Sequence, residues 1–367
     1  MSIIRARRLD LKETRPLTPL RRENSDRNER EALEGAVKLR SYPRRLVLEM
    51  TSACNIRCKM CGRVAADFTP TVFKKDWLSI FEPIADKIEE VTLLGWGEPT
   101  LHPEFSEFLA WAHARGLRIF FCTNGTRLKA LTEDIFRYEV DLLTVSLDGA
   151  DAATNNAIRC GADFDTILRD VEGIVEKKRA LGVQYPYLSF VMTMMDSNFR
   201  SFPDYVRLAK KVGIQEVKGV YLTVFDDAMA AESLEGRTEE LREVYAQAQA
   251  QGEELGIEVK LPYLQGEDIA GDAPHKDCYV GWRDFFLGSD GFVRSCMSTP
   301  VKLFRVEDYS SFDQMWNSPE YQAFRAAVNT ENMCAACRNC YQASAANWNR
   351  PSSFDQRGQT FAPEWEG

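Results

Sequence analysis

The segment Cys54-Asn-Ile-Arg-Cys58-Lys-Met-Cys61-Gly62 places three thiols at spacings of x3 and x2. Thiols four and three residues apart can converge on one side of a short loop and hold one metal centre. A structural zinc site takes four ligands, and no fourth Cys or His lies in this loop. Three thiolates on a cubic iron–sulfur cluster would leave one iron open, and open coordination positions are where catalytic metals take substrate. Free surface thiols, or a zinc site completed by a distant residue, are the plainer alternatives. A second group comprises Cys278, Cys296, Cys334, Cys337 and Cys340. Four thiolates complete one 4Fe–4S cluster, which would leave one cysteine over. Cys-x2-Cys with two distant cysteines also suits structural zinc. The remaining thiols are Cys122 and Cys160.

The rest of the composition narrows the chemistry. The 367 residues carry 46 Lys and Arg against 55 Asp and Glu, a net charge of −9, so no nucleic-acid partner is expected. Only His102, His113 and His275 are present, too few for a His-rich metal site or a His-based acid/base pair. The start, MSIIRARRLDLKETR, has no apolar core and does not read as a secretory signal, which points to a cytoplasmic protein. In that setting clustered cysteines favour metal or redox chemistry over disulfides, and Asn124-Gly-Thr matches a glycosylation sequon by accident. The apolar runs are strand-sized, as at Phe120–Cys122, so no membrane span is expected.

Residues 1–40 form a polar extension. Through Arg45 it carries thirteen Lys and Arg against seven Asp and Glu, and it reads as a mobile or partly helical surface extension or as a docking arm for an acidic partner. Beyond it, strand-like runs at Leu46–Met50, Val91–Gly95, Arg118–Thr123, Leu142–Leu147, Tyr187–Thr193 and Val217–Thr223 alternate with helical patterns. One such pattern places Phe164, Ile167, Leu168, Val171, Ile174 and Val175 at helical spacing before Gly182. Others pass through Trp77–Ile84 with Pro83 as an interruption, Phe105–Arg115, Tyr205–Val212 and Thr238–Leu255, the last followed by a strand at Ile257–Leu261. Six strands alternating with helices predict an α/β fold with a parallel sheet, open or as a partial (β/α)6 barrel. In such folds chemistry collects at the C-terminal strand ends. A hairpin at Phe285–Ser295 around Gly288-Ser289-Asp290-Gly291, then a helix over Phe312–Val328 breaking at Ser318-Pro319, predict a small C-terminal α+β cysteine-rich domain. The expected division is extension 1–40, core 41–262, second domain 263–350 and tail 351–367.

The order of motifs over about residues 45–225 resembles the radical S-adenosylmethionine (SAM) superfamily. Cys54-x3-Cys58-x2-Cys61 follows the first strand. Gly95-Trp96-Gly97-Glu98-Pro99 resembles the Gly-Gly-Glu-Pro segment after the second, with Trp96 where Gly is commoner. The resemblance implies SAM contacts from Gly95, Gly97, Glu98, Asn124 of the Thr-Asn-Gly turn, Ser146 and Asp148 of Ser-Leu-Asp-Gly, and Arg159 toward the SAM carboxylate. Met60 stands where an aromatic residue is frequent. Gly291-x4-Cys296 on the hairpin resembles the SPASM/twitch extension, which houses auxiliary 4Fe–4S clusters. Seven cysteines commonly serve two clusters there. Five here imply one auxiliary cluster, with Cys278 and Cys296 as ligands and Cys337 and Cys340 preferred over Cys334.

The implied cofactors are a 4Fe–4S cluster bound to SAM, one auxiliary 4Fe–4S cluster and SAM itself, with an electron donor such as flavodoxin or ferredoxin. The implied reaction is reductive cleavage of SAM to a 5′-deoxyadenosyl radical, which abstracts hydrogen inside a shielding barrel. The first reading of the substrate is a hydroxylated small molecule such as a sugar, aminocyclitol or nucleoside-like compound, oxidised or epimerised. Cys334, Cys122 or Cys160 would then donate a hydrogen atom in an epimerisation. The alternative is a SPASM-type maturase acting on a peptide. A binding module without SAM cleavage is the third. Tyr221, Asp226 and Asp227 are candidate bases or solvated loop groups, and the loops Tyr263–Asp277 and Trp282–Asp284 are expected at the barrel mouth.

Overall fold

The computed structural model describes residues 15–63, 69–262, 264, 278–296, 301–334 and 337. The strands are β1 (Arg45–Leu48), β2 (Arg57–Cys58), β3 (Glu90–Leu93), β4 (Arg118–Thr123), β5 (Leu142–Ser146), β6 (Arg159–Cys160), β7 (Tyr187–Met194), β8 (Glu216–Tyr221), β9 (Glu258–Lys260), β10 (Asp284–Leu287), β11 (Phe292–Arg294) and β12 (Lys302–Arg305). Ten of them form one sheet in the order β12-β11-β10-β1-β3-β4-β5-β7-β8-β9, and β2 pairs with β6 separately. From β10 through β9 every neighbour is parallel. The edges β12 and β9 do not pair, which leaves the barrel open.

Alternation along the strands separates the two faces. On β7, Leu188, Phe190, Met192 and Met194 enter the apolar core under the helices. The Ser189 hydroxyl lies on the other face, 2.7 Å from the Thr144 hydroxyl of β5. On β4, Ile119 and Phe121 face the core, while Phe120 and Cys122 face inward. The helix Phe164–Leu181 ends as its pattern predicts, with Gly182 at φ +66° as the left-handed cap. The run through Trp77 forms a 3₁₀ helix, Lys75–Ile84, because Pro83 denies it α-helical bonding. The predicted break at Ser318-Pro319 yields two helices, Phe312–Trp316 and Pro319–Ala327, the second capped by the Ser318 hydroxyl.

Two features extend the sequence reading. First, the cysteine-bearing module joins the core sheet: its strand β10 lies parallel beside β1, with Arg45 opposite Asp284, and its hairpin extends the sheet. Phe81 of the core packs on Phe285 and Phe312 at ring-centroid distances of 5.8 and 5.9 Å, and Phe285 on Phe312 at 4.9 Å. Each such ring, fully buried, contributes roughly 2–3 kcal/mol. Second, the N-terminal extension includes a helix, Pro19–Leu33, that docks through its polar side. Arg21 donates to the carbonyls of Gly116, Arg115 and Ala85. Asn28, 1% exposed, donates to the carbonyls of Trp282 and Tyr42 and to the Ser41 hydroxyl. Asn28→Ala is expected to cost about 1–3 kcal/mol, read as a lower urea midpoint at unchanged slope, because it strands buried acceptors.

Candidate functional site

The loop after β1 is shaped before any thiol enters it. The Thr51 hydroxyl accepts from Ala53 N–H at 3.0 Å and donates to the Thr71 carbonyl at 2.7 Å. Farther on, β2 and β6 pair antiparallel with Cys58 opposite Arg159, and Lys59 N–H donates to the Ile158 carbonyl at 3.0 Å. Arg159 Nη1 then reaches Cys58 Sγ at 3.8 Å, and Asn124 Nδ2 reaches Cys54 Sγ at 3.7 Å. Burial pushes the Cys58 thiol up to about 12 and raises Cys61 as well. Metal binding here must therefore displace protons. Three thiols in one loop, two of them facing N–H donors, form a donor set suited to an iron–sulfur cluster.

The residues expected around SAM fall at the same strand ends, but several are already engaged. A Cβ on Gly97 would lie 2.3 Å from the carbonyl oxygens of Thr51 and Ala53, so only glycine lets the two loops meet. The Glu98 carboxylate is 2% exposed and accepts from Thr100 N–H and O–H, Thr123 O–H and Asn124 N–H. It staples the β3 loop to the β4 loop. Asp148 is fully buried, accepting from Thr193 N–H at 2.7 Å and pairing with Arg159 Nε at 2.6 Å. Asn198 Nδ2 donates to the Asp148 carbonyl at 3.0 Å. Asn124 also donates to Asn55 Oδ1 at 2.9 Å. Ser146 Oγ lies 3.3 Å from Cys122 Sγ on the inner face. Cys160 is exposed.

Apolar side chains crowd the mouth beside these groups. A Cβ on Gly62 would lie 3.1 Å from both the Phe225 and Trp96 rings, so one of them would have to give by a few tenths of an ångström, and the two rings meet edge-on at 5.9 Å. Met60 and Phe225 cover a cluster of Ile158, Met195, Leu222, Val224 and Met229. Of the candidate bases, the Tyr221 hydroxyl accepts from Tyr245 O–H at 3.1 Å, Asp226 caps Met229 N–H at 3.1 Å, and Asp227 is exposed. The Trp282–Asp284 segment is not at the mouth: Asp284 begins β10 and pairs with Arg45 at the opposite end of the sheet. Tyr263–Asp277 lies outside the described residues apart from Leu264.

In the C-terminal module the Cys337 thiol is raised by hydrogen bonding to Cys334, by burial and by the nearby Cys296 and Cys278. Cys334 is thus the direct neighbour of Cys337, with Cys296 and Cys278 near enough to act on its charge; Cys340 lies outside the described residues. Asn329 clamps Cys278, accepting from its N–H at 2.7 Å and donating to its carbonyl at 3.1 Å. The adjacent Ser295 hydroxyl is buried with no hydrogen-bond partner among the described residues. Residues that sequence reasoning passed over are Glu49, Thr71 and Ser289. A carboxylate directly after the apolar run Leu46–Leu48 was the available signal for Glu49.

Residues 48–209 match the radical SAM superfamily, and residues 278–341 match the SPASM iron–sulfur cluster-binding domain. The chain carries a radical SAM domain followed by a C-terminal SPASM domain. A radical SAM protein of this build holds a 4Fe–4S cluster with SAM in its core and auxiliary iron–sulfur in its SPASM domain, which displaces the zinc alternative. Among its relatives, a tungsten-containing aldehyde ferredoxin oxidoreductase cofactor-modifying protein of Pyrococcus furiosus is 23% identical, over 84% of this chain and 90% of that one. The mycofactocin maturase MftC of Mycolicibacterium smegmatis is 26% identical over 80% of this chain and 74% of its own. Streptococcus suis SuiB bound to S-adenosylmethionine shares the fold at a TM-score of 0.64 and 16% identity, covering 87% of this chain and 75% of SuiB. SuiB has also been solved with its precursor peptide SuiA. No helix among the described residues is long and apolar enough to cross a membrane.

Proposed function

We propose that this radical SAM–SPASM protein is a maturase that modifies a peptide or protein, at a side chain or the backbone. The observation that carries the reading is the likeness to a mycofactocin maturase along most of both chains. It moves the substrate away from a hydroxylated sugar, aminocyclitol or nucleoside. A second reading, modification of an organic cofactor, is favoured by the full-length likeness to the Pyrococcus cofactor-modifying protein.

In this proposal Cys54, Cys58 and Cys61 hold the core cluster, and one auxiliary cluster is held by Cys278, Cys296, Cys334 and Cys337. Cys334 replaces Cys340 in the preferred set because it sits beside Cys337. Bound in the core, the cluster with SAM supplies one-electron chemistry that yields a hydrogen-abstracting radical. The chain's own residues do the rest. Arg159 and Asn124 aim N–H groups at two of the ligand sulfurs. The backbone of Gly95–Gly97 presents the SAM loop. Glu98 and Asp148, which resemblance placed on SAM, act as staples that hold Asn124 and Arg159 in position. Trp96, Phe225 and Met60 keep water from the mouth. Cys122, on the inner face of β4 and with its thiol pKa raised by burial, is the hydrogen-atom donor in this reading, whereas Cys160 is exposed. Reduction needs a one-electron donor of the flavodoxin or ferredoxin class.

The test is coexpression with short peptides encoded beside the gene, followed by mass spectrometry of those peptides. A peptide mass change that vanishes in the Cys54/Cys58/Cys61→Ala variant is the expected result. If only an organic cofactor or a hydroxylated small molecule stimulates 5′-deoxyadenosine formation by the reduced protein, the peptide reading is wrong.

A further inference from the structure

Glu49 is the residue immediately after β1, and it is 5% exposed. Two segments meet on its carboxylate. Trp96, in the loop after β3, donates its N–H to Oε1 at 2.8 Å. Ser289, in the turn between β10 and β11, donates both N–H at 3.1 Å and O–H at 2.8 Å to Oε2. The Ser289 hydroxyl also lies 2.7 Å from that of Thr71, which lies 3.1 Å from that of Ser52, two residues before Cys54. Thr71 N–H donates to Ser52 Oγ at 2.8 Å, and Ser52 N–H to the Thr71 carbonyl at 3.0 Å. One carboxylate therefore joins the loop after β3 to the SPASM hairpin, and a chain of hydroxyls continues to the stem of the cysteine loop. The fit leaves no slack. A Cβ on Gly95 would lie 2.3 Å from Glu49 Cγ, so the backbone of that loop rests directly on the Glu49 side chain.

A buried carboxylate that loses a donor cannot turn to water for a replacement, so it shifts toward the donors that remain. If the hairpin turn lifts, Oε2 loses both Ser289 bonds, and Glu49 must move against Gly95 and Trp96. We propose that Glu49 is a positioning residue that couples the SPASM domain to SAM binding: SAM in the core and Ser289 seated on Glu49 favour each other. The inference rests on reading Gly95–Gly97 as the SAM loop. Linkage makes the effect reciprocal, so a change in the hairpin alters SAM affinity and SAM alters the hairpin.

The test uses the full chain, reconstituted anaerobically, with SAM binding measured by calorimetry and amide exchange measured across Asp284–Arg294. Ser289→Ala, in the auxiliary domain, is expected to weaken SAM binding by about fivefold or more at unchanged iron content. Glu49→Gln, which offers N–H where one donor expects an acceptor, weakens it further. The double variant should be no weaker than Glu49→Gln alone, because both cut the same link. SAM should slow exchange in the hairpin of the unaltered protein and not in Ser289→Ala. Ser289→Ala affinity within about twofold of the unaltered protein, or hairpin exchange indifferent to SAM, overturns the coupling. Should Glu49→Gln lose iron or fail to fold, Ser289→Ala decides alone. An unaltered protein that binds no SAM overturns the reading of the loop, and the coupling with it. Binding with a silent Ser289→Ala overturns the coupling by itself.

Discussion

Replacing Cys54, Cys58 and Cys61 together by alanine is expected to remove about 4 iron per chain, leave about 4 in the SPASM domain, and abolish 5′-deoxyadenosine formation. Iron and sulfide analysis after anaerobic reconstitution measures the first effect, and chromatography of the reduced protein with SAM measures the second. The effect is expected to be complete because Cys54, Cys58 and Cys61 are the only Cys or His residues in the Cys54–Gly62 segment. The complementary variant, Cys278 and Cys296 to alanine, should lose the other half of the iron and keep the core cluster. A protein that starts at about 4 iron and falls to none, retaining one zinc, would make the C-terminal centre structural and remove any role for it in electron transfer.

Asp148→Ala is expected to cost about 3–5 kcal/mol of folding stability, among the largest single-residue effects in the chain. Asp148 is fully buried and pairs with Arg159, itself buried against the cysteine loop. Burial works against the Arg159 charge, and Asp148 with Cys58 more than offsets it. Removing the carboxylate leaves a guanidinium without compensation in a dry site, and Thr193 N–H loses its acceptor. A lower urea midpoint at unchanged slope is the measurement. The pair differs from a mere stabiliser in one respect that a second variant exposes. Asp148→Leu with Arg159→Leu removes both charges, so most of the stability should return, while the N–H directed at Cys58 does not. Core-cluster occupancy or its reduction potential should then remain altered in a stably folded protein. A single variant costing under about 1 kcal/mol would show that water reaches Arg159.

Much of the fold was legible because it is written in local periodicity. The strand Arg118–Thr123 and the helix Thr238–Leu255 have their predicted bounds, since a short apolar run marks the one and Gly256 ends the other. The other core strands begin or end within two residues of their predicted places. The Pro19–Leu33 helix was harder to read because it docks by donating to backbone carbonyls, and polar docking leaves no apolar stripe to count. Trp282–Asp284 was assigned to the mouth because it precedes a strand whose partner was unknown. Pairing Asp284 with Arg45 puts it at the far end.

The sequence by itself determined the chemistry: three cysteines at x3 and x2 after a first strand, the Gly-x-Gly-Glu-Pro, Thr-Asn-Gly and Ser-Leu-Asp-Gly segments at successive strand ends, and five more cysteines beyond. These are decided by spacing along the chain, which a sequence displays directly. Tertiary structure alone decided what each side chain does there. Glu98 and Asp148 turn inward because folding surrounds them with N–H and O–H donors from segments 2 to 45 residues away. Cys334 comes to neighbour Cys337, with Cys278 and Cys296 near, because the last helix returns the chain toward the hairpin. Glu49 gains its two partners only because β10 settles against β1, bringing Ser289 across 240 residues to the carboxylate that already holds Trp96. Such contacts form by parallel pairing between strands distant in sequence, and no local pattern encodes them.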